Sequence, residues 1–222
     1  MKTLLKVLTL FMPWFIRRRV LNRFFGFEIH KTARIGLSWI YPKKLKMGPG
    51  SRIDLFTVAI HLDAIEMQDG AMIGRNNWIT GFASGTGSRH FVHQPNRVSK
   101  LFMGQQSMVT KNHHIDCTNR IDIGKFATIA GYGTQLLTHS IDVYENRQDS
   151  KPIIIGNFAF IGTSSVILGG AVIPDFCLLS AKSLLNKAFT ESWKIYGGVP
   201  AKVLSEIPKD AGYFTRKSGF VY

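Results

Sequence analysis

The chain has 222 residues, 45% of them apolar, which suits one globular domain of ordinary size with an appendage. Twenty-eight Lys and Arg against 14 Asp and Glu give a formal charge of +14. That field draws anions, whether nucleic acid, an anionic membrane face or phosphorylated ligands, without choosing among them. Two cysteines, Cys117 and Cys177, are too few for a disulfide framework and lack zinc-site spacing, which leaves them as core fillers in a reducing compartment.

The N-terminus reads MKTLLKVLTLFMPWFIRRRVLNRFFGFEIH. Its uncharged run, Val7 to Ile16, falls well short of the roughly 20 residues that span a bilayer, and Pro13 interrupts it. The basic cluster Arg17, Arg18 and Arg19 follows the apolar run instead of preceding it, which argues against a signal peptide. Residues 1–28 therefore read as an amphipathic segment, with Trp14, Phe15, Phe24 and Phe25 beside Arg17, Arg18, Arg19 and Arg23. Such a segment suits the surface of an anionic leaflet, or a short helix packed on the domain or a neighbouring subunit.

From residue 29 to 190 a period of six takes over. Ile155, Ile161, Ile167, Ile173, Leu179 and Leu185 fall six apart, and Ala159, Ser165, Ala171, Cys177 and Ser183 each follow four residues later. Earlier turns repeat the pairing at Met47/Ser51, Ile53/Thr57, Met67/Ala71, Met103/Ser107, Ile123/Ala127 and Ile129/Gly133, with Val109, Ile115 and Gln135 as further face positions. Neither a helix nor an alternating strand has this period. It fits a chain that turns a corner every sixth residue, with the aliphatic side chain inside a narrow prism and the small one at the bend. Three faces make one coil, and stacked coils make an all-β solenoid of short parallel strands.

Two polar stretches interrupt the rhythm, SGTGSRHFVHQPNRVSK between Ala83 and Leu101 and VYENRQDSK between Asp142 and Pro152. Both read as loops thrown out of a rigid scaffold, where ligand-contacting groups are often held. The second leaves just after His139, in THSID. A bulky imidazole suits a tight corner poorly, and its titration near neutral pH suits proton transfer. His113 takes the corner slot four after Val109, on a corner adjacent to that of His139, so within one chain the two do not meet. Asp142, Glu145 and Asp116 are all near enough in sequence to orient His139. Residues 191–222 form a short C-terminal cap.

The hexapeptides, THSID before a loop and the closing YGGVPAKVL together resemble the hexapeptide-repeat acyltransferase superfamily, over about residues 30 to 205. The nearest likeness is to sugar O-acetyltransferases of the galactoside and maltose acetyltransferase type and of bacterial surface-polysaccharide clusters. Val199 stands where Asn is usual in the closing motif. The resemblance implies a left-handed parallel β-helix, an exception to the right-handed crossover rule. It implies transfer from acetyl-coenzyme A to a sugar or glycan hydroxyl with His139 as general base and no acyl-enzyme, the latter in keeping with the lack of a G-x-S-x-G elbow. It also implies a homotrimer with its sites in the clefts between subunits, where His113, or nearby Thr110 and Asn112, would face the base. Carried over position by position, Gly162, Thr163, Ala181, Asn186 and Lys202 would contact coenzyme A, with Trp193 and Tyr196 available to stack on adenine or to pack the cap. The expected setting is cytoplasmic, at the inner face of a membrane, with no resident metal and no nucleic-acid partner. Two other readings are a zinc enzyme of the γ-type carbonic anhydrase kind, using His113, His114 and His139, and a non-catalytic scaffold anchored by residues 1–28.

Overall fold

The computed structural model describes residues 2–221. The period of six becomes a three-faced coil of parallel strands. Seven strands form the first face, from Glu28–Ile29 to Val172–Ile173, and seven form the third, from Trp39–Tyr41 to Leu184–Leu185. The second face begins at Arg34–Ile35 and is closed by Lys194–Gly197 and the antiparallel Lys202–Glu206. Consecutive strands step from face to face, so each pairs in parallel with a strand one coil away, as His114–Asp116 does with Trp78–Thr80 and Gln135–Leu137. The interior is the row of aliphatic residues read from the sequence: Ile155, Ile161, Ile167, Ile173, Leu179 and Leu185 are all buried. Burying such a side chain contributes about 1.5–3 kcal/mol, and a stacked coil repeats that at every face. Cys117 and Cys177 are buried among them, unpaired.

The row slips once. Gln135, read as a face position, is exposed, and Leu136 is buried in its place. The turn Gly131-Tyr132-Gly133, with φ of +70° and +72° at its glycines, takes up the extra residue. The slip also moves His139 out of the corner: Thr138 is the buried residue there, and His139 projects.

Each corner has its own chemistry. At the bend from first to second face, Phe126, Phe158, Phe176 and Trp193 all adopt left-handed φ of 57–62° and stack with centroids 4.8, 5.2 and 4.6 Å apart. Stacking offsets the strain that bulky residues incur in that conformation. At the bend from second to third face, a hydrogen-bond ladder climbs through Ser38, Thr57, Asn77, His113, Thr134, Ser165 and Ser183. Each side-chain oxygen or nitrogen accepts the backbone N–H of the next rung, ending at Gly198. The bend from third to first face is the one that throws out both loops.

The N-terminal segment is helical, α1 (Lys2–Leu10) and α2 (Trp14–Phe25), and it divides its side chains between two roles. Trp14 donates its indole N–H to the Ala33 carbonyl, Leu21 is buried, and Arg17 donates to the carbonyls of Gly36 and Ser38 at 2.7 and 2.8 Å. Arg17 is therefore a buried staple that caps the first coil, unlike the surface cation read from the Arg17-Arg18-Arg19 cluster. Leu4, Leu8, Phe11 and Phe15 face outward, Phe11 with 80% of its surface exposed. No helix among the described residues is long and apolar enough to cross a membrane. At the other end a short helix, α3 (Gly212–Thr215), lies beside the aromatic stack.

Candidate active site

The interrupted corner brings three coils together. Residues 82–99 leave it after strand Trp78–Thr80, and the second loop leaves it after Gln135–Leu137 as an antiparallel hairpin, His139–Asp142 with Arg147–Ser150. The coil between them ends its third-face strand at Asp116, so this carboxylate stands directly between the two insertions.

Both loops are fixed. Asp63 accepts from the Ser84 amide and hydroxyl and from the Ser99 amide, pinning the first loop at both ends, and it pairs with Lys43 at 2.9 Å. Arg97 is buried beneath that loop, where it donates to the Phe82 and Thr118 carbonyls and lies 4.3 Å from the centre of the Phe91 ring. Gln94 then ties one loop to the other, donating to Asp149 at 2.7 Å and accepting the Ser150 hydroxyl at 2.6 Å.

His139 lies in this frame with its Nδ1 2.6 Å from Asp116 Oδ2. A carboxylate only accepts, so Nδ1 carries the proton, and in the neutral ring Nε2 keeps its lone pair. The same Asp116 oxygen accepts the Thr138 and His139 amides, and its partner oxygen accepts from Thr118. Burial pushes the Asp116 carboxyl up, but these bonds, led by the one from His139, hold it below its ordinary value. The hydrogen bond to Asp116 raises His139 against the opposing effect of burial. The side chains are 12% and 42% exposed respectively: the acid is covered, and the base is open to a ligand.

Two cavities meet at His139. One, of ≈ 570 Å³, runs toward the C-terminal coils and is lined by Thr138, Asp149, Lys151, Gly169 and Asn186 among others. The other, of ≈ 240 Å³, lies under the first loop, lined by Phe82, His90, Phe91, Asp116, Thr118 and Gln148. The Phe91 ring meets the His139 ring edge-on at 6.4 Å. A ligand in each cavity would present one end to the same imidazole.

The residues expected at the site are separated by the fold. His139 and Asn186 share the larger cavity. Thr163 and Ala181 stand at the opposite edge of the third face, where the Thr163 hydroxyl donates to the Tyr132 carbonyl. Gly162 is buried, and a Cβ there would come within 2.5 Å of the Ala181 amide nitrogen, so close coil contact accounts for the glycine. Lys202 is exposed on the closing strand Lys202–Glu206. His113 requires a correction. It is a fully buried rung of the ladder, its Nδ1 accepting the Thr134 amide at 3.1 Å and its Nε2 3.0 Å from the Thr110 hydroxyl, and burial pushes it down to about 4. Neither nitrogen is available to substrate or metal, which also removes one ligand from the three-histidine zinc reading. Among the described residues no group of three or more His, Cys, Asp or Glu is placed to hold a metal ion. Tyr196 is buried against Phe189 and Trp193 is stacked on Phe176, so both pack the cap.

Asp116 was one of three equal candidates by sequence, and Phe91, Gln94, Arg97, Asp149 and Lys151 gave no signal there. The usable one lay in the register: a strand six residues per face places Asp116 one coil below Leu137, two residues before His139.

Comparison with known proteins follows the same lines. No family model matches the chain. Over 77 residues it is 32% identical to "Putative acetyltransferase YvoF" of Bacillus subtilis, a match covering 35% of this chain. The chain thus spans 43% of the curated relative that it matches. Among solved structures, the polysialic acid O-acetyltransferase OatWY superposes with a TM-score of 0.59 at 18% identity, covering 81% of this chain and 84% of that one. A mutant of AntD, an N-acyltransferase from Bacillus cereus in complex with dTDP and coenzyme A, gives a TM-score of 0.52 at 15% identity over 82% and 85%. At these identities the two structures share the fold with this chain, and the likeness runs through most of the coil.

Proposed function

We propose that the protein is an acetyl-coenzyme A-dependent O-acetyltransferase that modifies a sugar or glycan precursor, with His139 as general base. The observation that carries this is the His139–Asp116 pair set between two cavities, one for each substrate. Acetyl-coenzyme A would enter the larger cavity, where Lys151 and Asn186 offer a cation and an amide to its polar groups. The acceptor would lie in the smaller one, against Phe91. As the acceptor oxygen attacks the thioester carbonyl, His139 Nε2 takes the hydroxyl proton. The new C–O bond forms and the C–S bond breaks, and the proton passes to the departing thiolate. Asp116 holds the tautomer and stabilises the imidazolium that forms. Its role is positional, since it faces Nδ1 and not the reacting atoms.

In this reading the coil is left-handed, residues 29–190 carry the site, 191–222 close it and 1–28 both cap and anchor it. The protein works as a homotrimer. The separation of Thr163 and Ala181 from His139 across one face supports this, since a neighbouring copy could bring the two edges into one cleft. The outward Leu4, Leu8, Phe11 and Phe15 beside Arg18 and Arg19 support peripheral contact with an anionic leaflet on the cytoplasmic side. Vesicles containing phosphatidylglycerol should sediment the wild type and release a Phe11→Asp/Phe15→Asp variant. Equal sedimentation of the two proteins would remove the membrane contact.

Thiol release from acetyl-coenzyme A against a panel of sugars and nucleotide sugars tests the activity. Wild type should show acceptor-dependent turnover, and His139→Ala should lose about 10²–10⁴-fold in kcat while still binding coenzyme A. Wild type that neither binds acetyl-coenzyme A nor releases thiol would instead favour the scaffold reading.

A further inference from the structure

A third cavity, of ≈ 350 Å³, adjoins the one proposed for the acceptor and shares His90 and Gln148 with it. Its other lining residues are Arg89, Ile141, Asn146 and Arg147. Arg89 comes from the first loop and Arg147 from the hairpin, so the clasp of Gln94 on Asp149 and Ser150 is what holds the two guanidinium-bearing segments together. Among the described residues neither arginine forms an ion pair or a side-chain hydrogen bond. Across the hairpin Asp142 is paired in register with Arg147, but it forms no ion pair with it, and its Oδ1 accepts the Tyr144 and Glu145 amides.

Both arginines are exposed. Two like charges lining one concavity repel, and a fold that holds their two segments side by side, with neither guanidinium in an ion pair, leaves a site complementary to an anion. Guanidinium groups suit it best, because each offers paired N–H donors that match a carboxylate or phosphate. We infer that the acceptor is an acidic saccharide whose anionic group, a phosphate or a carboxylate, is held by Arg89 and Arg147 while its reacting hydroxyl reaches His139 through the shared wall of His90 and Gln148. This deepens the proposed function and rests on His139 being the base. The arginine cavity shares two residues, His90 and Gln148, with the acceptor cavity and one, Ile141, with the larger cavity, and neither arginine lines the larger one, so the inference assigns them to the acceptor and coenzyme A binding serves as the control.

Calorimetric binding, which needs no turnover, provides the test. Wild type, Arg89→Ala/Arg147→Ala and Arg89→Lys/Arg147→Lys are each titrated with UDP-glucose, with an oligosaccharide ending in glucuronic acid, with maltose and with coenzyme A. At least one acidic probe should bind wild type more tightly than maltose does, and which one binds identifies the anion as phosphate or carboxylate. Its Kd should rise at least about tenfold in the alanine variant, with a smaller rise in the lysine variant and coenzyme A binding unchanged in both. Equal binding of the acidic probe to wild type and alanine variant, or no preference for either acidic probe over maltose, overturns the inference, as does loss of coenzyme A binding in the alanine variant. His139→Ala should bind the acidic probe as wild type does. Should that variant keep its turnover, the base assignment alone fails, and the anion result stands.

Discussion

The two histidines on adjacent edges of the solenoid, one coil apart, show how strongly position governs an identical side chain. His113 lies on the bend from second to third face with no surface exposed, accepting a backbone amide as one rung of a ladder whose other rungs are Ser, Thr and Asn. His139, on the adjacent edge and in the next coil, has been pushed out by the hairpin that begins at it, and it is 42% exposed with a carboxylate at 2.6 Å. Burial lowers the first to about 4, while Asp116 raises the second. A proton on Nδ1 of His113 would displace the Thr134 amide, whereas a proton on Nε2 of His139 faces the cavities. The same ring is therefore a buried neutral acceptor on one edge and an exposed, carboxylate-held imidazole on the adjacent one.

Substitution should separate them sharply. The largest effect expected is the loss of turnover in His139→Ala, and His113→Asn should leave kcat near wild type, because Asn77 already fills the equivalent rung one coil away. Comparable loss of kcat in both variants would dissolve the distinction. Stability should respond in the opposite sense. His113→Ala strands the buried Thr134 amide, at a cost of about 1–3 kcal/mol and more for the cavity, and His113→Asn should recover much of it. Urea denaturation measures both.

Acid sharpens the same contrast. His113 is harder to protonate folded than unfolded, so the unfolded chain binds more protons between its ordinary value of 6.5 and about 4. The stability it contributes is full above 6.5 and is lost as pH falls across that window. The His113→Asn variant should lack that part of the acid slope, and an unchanged slope would mean that the ring is not held neutral.

The coil itself was legible in the sequence because interior aliphatic residues every sixth position leave few alternatives. The slip at Gln135 was not, since an inserted glycine turn changes the register without changing the composition. His139 stood out because a hairpin interrupts the period there. Asp116, Gln94 and Arg97 did not, because what unites them is stacking of coils far apart in sequence, which no local pattern records. His113 misled for a physical reason: a ladder rung needs only an acceptor of suitable size, and imidazole supplies one as well as Asn does. Arg17 misled likewise, since a run of three arginines does not reveal which of them the helix turns toward the coil.

The central claim is that Asp116 and His139 act as one unit, and the pH dependence of kcat tests it most directly. In wild type the acid limb should fall at a pH above the ordinary 6.5 of histidine, because Asp116 favours the imidazolium. Asp116→Asn removes that charge, so the limb should move to lower pH while the plateau drops, with acetyl-coenzyme A binding retained. An acid limb that stays where it was in Asp116→Asn would show that the titrating base is not the imidazole held by this carboxylate.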